Sequence, residues 1–275
     1  MEFKFMLAPL EDVSDNAFRG LCATHGADLT FTEMTRLTAL VRDNKSTLQK
    51  IALLNDVPTQ IQLAAQKEDN LKKFLSTFIP ENGFAGINFN LGCPSPDLTR
   101  HGLGCALIRR VSKAARLVKI VKDYGHPCSI KMRLGLNRFE KEKKVYLNLI
   151  EGVDADFFVV HARHGSEHYE AKADYSIFPG CVDTGKTIIA NGDINSVEKV
   201  QLLKEIGVKG VMVGRAAVRN PSIFERLKEL PETDAQTIRD EYIEFTKRYP
   251  PSNQKYIDNV LSRLGKITFR DHVMG

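Results

Sequence analysis

The chain has 275 residues, 43% of them hydrophobic and 27% charged, a globular mixture that excludes a disordered, collagenous or coiled-coil protein. Its 39 Lys and Arg against 34 Asp and Glu leave a net charge of +5, too small to name a polyanionic partner by itself. No apolar run approaches the ~20 residues of a membrane span, and the first residues lack the basic and apolar regions of a secretory signal, so a cytoplasmic protein with no membrane contact is expected.

Eight short runs rich in β-branched and aromatic residues follow in chain order, each trailed by a turn signal and a helical pattern. They are Phe5–Ala8, Asp28–Met34, Thr59–Ala64, Gly86–Asn90, Pro127–Arg133, Asp156–Arg163, Lys186–Asp193 and Gly210–Ala216. Between them Leu71, Phe74, Leu75 and Phe78 recur at i, i+3, i+4 and i+7, and Val197, Val200 and Leu203 recur at three, the stripe that an outer helix lays on a sheet. Continuous apolar strands are those of a parallel sheet covered on both faces. The prediction is an α/β fold, a (β/α)8 TIM barrel over residues 1–230. The competing doubly wound sheet is disfavoured because no G-x-G-x-x-G follows the first strand and no G-x-x-x-x-G-K-[ST] occurs. After Leu230-Pro231 the period changes. Ile238, Tyr242, Phe245 and Tyr249, then Ile257, Val260, Leu261, Leu264 and Ile267, predict two amphipathic helices separated by Pro250-Pro251, a short helical appendage over 231–275.

Charge is unevenly placed. Between Leu98 and Lys144 thirteen basic residues face only Asp123, Glu140 and Glu142, a net of +10 that leaves the rest of the chain at −5. A second cluster, Lys247, Arg248, Lys255, Arg263, Lys266 and Arg270, faces only Asp258. Two such segments fit a phosphate-rich ligand, and they fit solvated helix faces equally well.

Chemistry in a barrel sits at the carboxyl ends of the strands, where the βα loops converge. Here those ends carry Ala8-Pro9-Leu10, Glu33, Gln62, Asn90 with Cys93, Lys131 with Arg133, His161 with Arg163, Asn191-Gly192-Asp193 and Gly214-Arg215. Gly192 and Gly214-Arg215 follow the seventh and eighth strands, where barrels bind phosphate through backbone N–H groups backed by a cation. Lys131 lies inside an apolar strand, and a buried ammonium is costly unless a negative group meets it. Five cysteines without C-x-x-C predict free thiols. Cys22 and Cys128 read as core, Cys105 and Cys181 are undetermined, and Cys93 is placed on a loop sharpened by Gly92 and stiffened by Pro94. His161-x-x-His164-x-x-x-His168 straddles a strand end with irregular spacing, which argues for polar contacts and against a metal.

Read in order, Leu7-Ala8-Pro9-Leu10, Asn88-Phe89-Asn90-Leu91-Gly92-Cys93-Pro94, Lys131-Met132-Arg133, His161-Ala162-Arg163, Asn191-Gly192-Asp193-Ile194, and Gly214-Arg215-Ala216 with Asn220-Pro221 resemble the motifs of the tRNA-dihydrouridine synthase family over roughly residues 5 to 225. The resemblance implies an FMN-dependent barrel that takes hydride from NADPH and reduces uridine in tRNA to 5,6-dihydrouridine. It implies that Pro9, Gln62, Lys131, His161, Asn191, Gly192, Asp193, Gly214 and Arg215 hold FMN, that Asn90, Arg133 and Arg163 meet the substrate, and that Cys93 is the catalytic acid. Lys131 would stabilise the negative charge of reduced flavin, and hydride arriving at uracil C6 calls for a proton at C5, which a thiol can give at neutral pH. A uridine inside folded RNA must be extruded to reach the barrel mouth while basic residues such as Arg100, Arg109, Arg110 and Arg138 grip the flanking phosphates. The implied partners are tRNA and NADPH, the appendage is the expected tRNA-binding part, and the chain is expected to act as a monomer.

The sequence departs from the family pattern at Leu10, Asp12, where many members have glycine, and Asn88, where aspartate is common. Pro96-Asp97 also interrupts a stretch that often carries lysine, and residues 231–275 are short for the family's helical bundle. Two other readings are a flavin barrel acting on a free pyrimidine, resembling dihydroorotate dehydrogenases, and a non-catalytic RNA-binding module. The first has no need of the basic segments, and the second has no need of Cys93, Lys131 and His161 together.

Overall fold

The protein is described by a computed structural model, which covers residues 2–168 and 170–266. Two sequence expectations, Ile267 in the last helical stripe and Arg270 in the second basic cluster, lie outside the described residues. Among the described residues a single parallel sheet is built from β1 (Lys4–Leu7), β2 (Thr30–Phe31), β3 (Thr35–Arg36), β4 (Thr59–Ala64), β5 (Phe84–Leu91), β6 (Cys128–Met132), β7 (Phe158–His161), β8 (Ile188–Asn191) and β9 (Gly210–Val213). The strands follow the order β1-β9-β8-β7-β6-β5-β4-β2, with β3 also on β4. The remaining seam is closed by Leu7 N–H to Leu29 O at 2.9 Å and Asp28 N–H to Phe5 O at 2.7 Å. The fold is the eight-unit TIM barrel, with helices in the crossovers.

The expected second strand, Asp28–Met34, is not continuous. Phe31 pairs with Gln60, whereas Thr35 pairs with Leu63, a one-residue slip along β4. The slip arises at Thr32, whose hydroxyl rather than a carbonyl accepts the Gln62 N–H at 3.0 Å. The break turns the next residue, Glu33, out of the ladder and into a buried polar site.

Strand alternation divides the core into two shells. Phe5, Leu7, Phe158, Val160, Ile188, Val211 and Val213 belong to the outer shell between sheet and helices. Met6, Ala8, Phe31, Val159, Ile189 and Met212 point inward and form their own apolar cluster. On the β4 to β6 side the interior is polar instead, with Gln60, Gln62, Asn88 and Ser129 all buried.

After the barrel, helices Ala235–Arg248 and Gln254–Leu261 are separated by Pro250-Pro251 as the period change implied. The first lies along helix Asn16–Thr24, with the Tyr242 ring edge-on to Phe18 at 6.3 Å. Tyr242 is fully buried, a transfer worth about 1.5–3 kcal/mol for a side chain of this size. His25 clamps the same junction, its Nδ1 2.8 Å from Glu225 and its Nε2 2.6 Å from Glu241. No helix among the described residues is long and apolar enough to cross a membrane.

Candidate active site

A cavity of about 930 Å³ opens at the carboxyl ends of the strands, near the upper end of the ~300–1,000 Å³ typical of ligand sites. Pro9 follows β1, Lys131 and His161 come from β6 and β7, Asn191 ends β8 with Gly192 and Asp193 just after it, and Gly214 and Arg215 follow β9, and all of these line it. Gly192 has φ +120°, and a Cβ there would stand 3.0 Å from the Ala173 Cβ and 3.1 Å from the His161 ring, so only glycine leaves this wall open.

Gln62 does not line the cavity. It is 1% exposed and belongs to a chain of amides that crosses the barrel interior. Gln62 donates to Asn88 Oδ1 at 2.7 Å, Asn88 donates to Ser129 Oγ at 2.7 Å, and Ser129 donates to Gln60. In the other direction Asn90 donates to Gln62 Oε1 at 2.9 Å and accepts the backbone N–H groups of Gly92 and Cys93 at 3.1 and 2.9 Å. Each amide has its orientation set by the next, so the loop bearing Cys93 is tied to the middle of the barrel. The buried Cys105 secures its other side, Cys105 N–H donating to Cys93 O at 3.0 Å and Cys105 Sγ–H to Gly92 O at 2.9 Å. Cys22, Cys105, Cys128 and Cys181 are all buried, and Cys93 is the partly exposed thiol.

Lys131 stands beside this loop, because Asn90 and Lys131 are register partners across β5 and β6. No hydrogen-bond acceptor among the described residues meets its ammonium. Burial, and then the neighbouring Arg133, push the Lys131 pKa down to about 8. Burial and the cations Lys131, Arg133, Arg163 and Arg215 hold His161 far below the ordinary imidazole range, so it is neutral. Its Nε2 accepts from Arg163 at 3.1 Å, which puts the ring proton on Nδ1.

Arg163, expected to meet substrate, is 1% exposed and lies behind the cavity wall, against the lining residues His161 and Asp193. It donates to the Ala171 carbonyl at 2.8 Å and pairs with Asp193. Asp193 also holds Arg215 at 2.8 Å and accepts the Ala173 N–H at 2.9 Å, so one carboxylate orients two guanidiniums and the cavity-lining segment 171–173. Arg133 is likewise buried, donating to the carbonyls of His164 at 2.8 Å and Glu167 at 3.2 Å. His164 Nε2 is 3.6 Å from Glu167, so His161 and His164 point at different partners.

Several lining residues were missed in the sequence. Tyr175 donates to Gly192 O at 2.7 Å and holds the glycine turn. Lys199 and Arg219 add cations at the end of the cavity that carries Arg215. A signal for both existed, since Lys199 falls in the first turn of the helix after Asn191-Gly192-Asp193 and Arg219 lies one turn beyond Arg215. Glu33 was noted only as a polar strand end. It forms a second buried site with Tyr256 and Lys50, away from the cavity.

The basic stretch Leu98–Lys144 also divides. Lys113, Arg116, Lys119 and Lys122 sit on the outer helix Val111–Asp123, where Arg116 pairs with Glu68 at 2.6 Å, Lys119 with Asp123 at 2.6 Å and Lys122 with Asp154 at 2.9 Å. Arg100, Arg109, Arg110 and Arg138 remain exposed on the segments that follow β5 and β6.

Fold and site together define a (β/α)8 barrel with a cation-lined cavity at the carboxyl ends of its strands. The chain belongs to the dihydrouridine synthase family, whose model matches residues 6–269. It is 33% identical over 247 residues to a probable tRNA-dihydrouridine synthase of Helicobacter pylori, covering 84% of this chain and 74% of that protein. It is 32% identical over 249 residues to probable tRNA-dihydrouridine synthase 2 of Bacillus subtilis, covering 86% and 75%. A solved structure of a morphinone reductase variant in complex with tetrahydroNAD is similar in fold, with a TM-score of 0.55 at 10% identity, covering 86% of this chain and 90% of that one. The nitroalkane oxidase from Streptomyces ansochromogenes is similar with a TM-score of 0.50 at 10% identity, covering 80% and 67%.

Proposed function

We propose that this protein is an FMN-dependent tRNA-dihydrouridine synthase that uses NADPH as reductant and acts as a cytoplasmic monomer, with residues 1–230 as the catalytic barrel and 231–275 as a helical tRNA-binding appendage. The observation that carries the reading is the Lys131 ammonium, unpartnered among the described residues, at the wall of the 930 Å³ cavity beside the Cys93 loop.

The residues present fit a flavin mononucleotide. Lys199, Arg215 and Arg219 gather at one end of the cavity, the donor set that a phosphate requires. Gly192 leaves that wall bare of side chain, and Lys131 offers a cation to a ring that gains negative charge on reduction. Pro9, Asn191 and Gly214 supply the remaining wall, with Asn191 held by its donation to Met212 O at 2.8 Å. Asp193 acts one step back, fixing Arg215, and Gln62 and Arg163 act as braces for Asn90 and His161.

A bound FMN, with NADPH as the source of electrons, would supply the hydride chemistry needed at C6 of the uracil. Cys93 then gives its thiol proton to C5, which completes saturation of the 5,6 bond with the correct count of atoms and electrons. Asn90 accepts the N–H groups of Gly92 and Cys93, so the thiol is delivered from a fixed loop. Neutral His161 lines the cavity, while buried Arg133 braces the loop after β7 through the carbonyls of His164 and Glu167.

The test is direct. Purified protein is expected to carry an FMN spectrum, to oxidise NADPH, and to form dihydrouridine in tRNA taken from cells lacking it. A colourless protein that cannot be loaded with FMN, or tRNA that gains no dihydrouridine, overturns the proposal.

A further inference from the structure

Phe139 is an aromatic ring displayed to solvent at the rim of the catalytic face, 64% exposed, in the short helix Arg138–Glu142 that follows β6. Other apolar side chains are exposed in this chain, but this one is built into place. Gly135, at φ +125°, brings the turn so near the helix that a Cβ would stand 2.6 Å from the Glu140 Cβ. Glu140 is buried, accepts the Leu136 N–H at 2.7 Å, and pairs with Arg109 at 3.3 Å. Asn137 caps the helix by accepting the Glu140 N–H at 3.0 Å, and Lys141 fastens it to Asp174 at 2.8 Å. Asp174 adjoins Ala173 and Tyr175 of the cavity wall, so the helix is fixed to the loop that borders the candidate active site. The ring is therefore held outward by a buried carboxylate, a cap and an ion pair.

Its surroundings are cationic. Lys143 Nζ lies 5.7 Å from the ring centroid, and Arg138, Arg109, Arg110, Lys143 and Lys144 are all exposed. Arg138 pairs with Glu142 with both side chains exposed, a surface pair that yields easily to a phosphate, and the Arg109 guanidinium is 68% exposed although its partner Glu140 is buried. An exposed aromatic ring with an ammonium over it and further exposed cations nearby matches single-stranded nucleic acid, which presents a base to stack and phosphates to hold.

We propose that Phe139 is a stacking platform for an unpaired base of the RNA substrate, adjacent to the extruded uridine, with Arg109, Arg138 and Lys143 holding the flanking phosphates. The inference rests on the proposed function and adds to it a residue that grips RNA on the barrel itself rather than on the helical appendage.

The chain contains no tryptophan, so Phe139→Trp places a single indole at the site. With FMN-loaded protein, tRNA is expected to quench that indole, whereas heparin, a polyanion without bases, is expected to leave it nearly unchanged. Phe139→Ala is expected to weaken tRNA binding roughly 5- to 150-fold, the range of one lost base stack, and Phe139→Trp to retain it. Equal indole responses to tRNA and heparin, or wild-type affinity in Phe139→Ala, overturn the inference. If the indole is quenched by tRNA while the wild-type protein forms no dihydrouridine in it, the stacking surface stands and the proposed activity falls.

Discussion

Tyr256 donates its phenolic proton to Glu33 Oε2 across 2.7 Å, joining the last described helix to the end of the broken second barrel strand. Glu33 also accepts the Asp12 N–H, and Asn259 of the same helix donates to Asp12 O at 3.1 Å. Asp12, in a position where many family members have glycine, has φ 54°, a conformation that aspartate tolerates better than most residues. The helix thus clasps the loop whose first residues, Pro9 and Leu10, form a wall of the cavity.

Removing the clasp has a pH signature. Burial raises the Glu33 pKa above the ordinary carboxylate value, and the Tyr256 hydrogen bond opposes that rise. A raised carboxylate pKa contributes stability at low pH that is lost as pH climbs through the folded value. Tyr256→Phe raises that value further, so its penalty, about 1–3 kcal/mol for a buried charged acceptor losing a donor, should be larger at pH 8 than at pH 4. Thermal unfolding midpoints at the two pH values check this, and equal losses at both would show that Glu33 is not the group involved.

Lys131 makes cofactor affinity pH-dependent as well. Its pKa is pushed down to about 8, so the free protein loses the ammonium as pH rises through that value. An anionic partner favours the protonated form, so binding above pH 8 requires proton uptake. FMN affinity should therefore fall from pH 8 upward, by at most about tenfold per pH unit. Fluorescence titration of FMN between pH 7 and 9 measures the slope, and Lys131→Met should remove it. A flat profile in the wild-type protein would separate the ammonium from the cofactor.

The Cys93 loop separates chemistry from positioning. Cys93→Ala should keep FMN and tRNA binding while dihydrouridine formation drops about 10²- to 10⁴-fold, the usual contribution of a general acid. Asn90→Ala leaves the thiol but frees the two N–H groups it holds and strips Gln62 of a donor. Its expected loss is in kcat, of order 10²-fold through misplacement, with KM for tRNA nearly unchanged. A rise in KM alone would mean that Asn90 binds substrate rather than fixing the loop.

Much of this is legible in the sequence, for identifiable reasons. The strands of a parallel barrel are apolar on both faces, so their runs stood out, and an ammonium inside one of them, Lys131, marked the cavity wall. The second strand reads as continuous in the sequence because its break depends on the Thr32 hydroxyl accepting the Gln62 N–H and on Glu33 meeting Tyr256, 223 residues away. Gln62 and Arg163 show the same limit. Arg163 stands just past a strand end as expected, whereas Gln62 lies within β4, and in both cases which way the side chain turns is decided by a neighbour, Asp193 for one and Asn90 for the other. Single-chain patterning reports that a polar residue is present and is silent on whether it faces ligand or braces the residue that does.

The division of the basic stretch gives the last prediction. Arg109 and Arg110 are exposed on the segment that follows β5, while Lys113 and Arg116 begin the outer helix, Arg116 already paired with Glu68. If RNA lies across the barrel mouth, Arg109→Gln with Arg110→Gln should weaken tRNA binding and lower the slope of log affinity against log salt by about 1–2, one for each lost phosphate contact. Lys113→Gln with Arg116→Gln removes the same formal charge from a face turned away from the mouth and should leave the slope within error. Binding isotherms across a salt series compare the two directly. Equal reductions would mean that tRNA senses only net charge, and the rim would lose its claim as the docking surface.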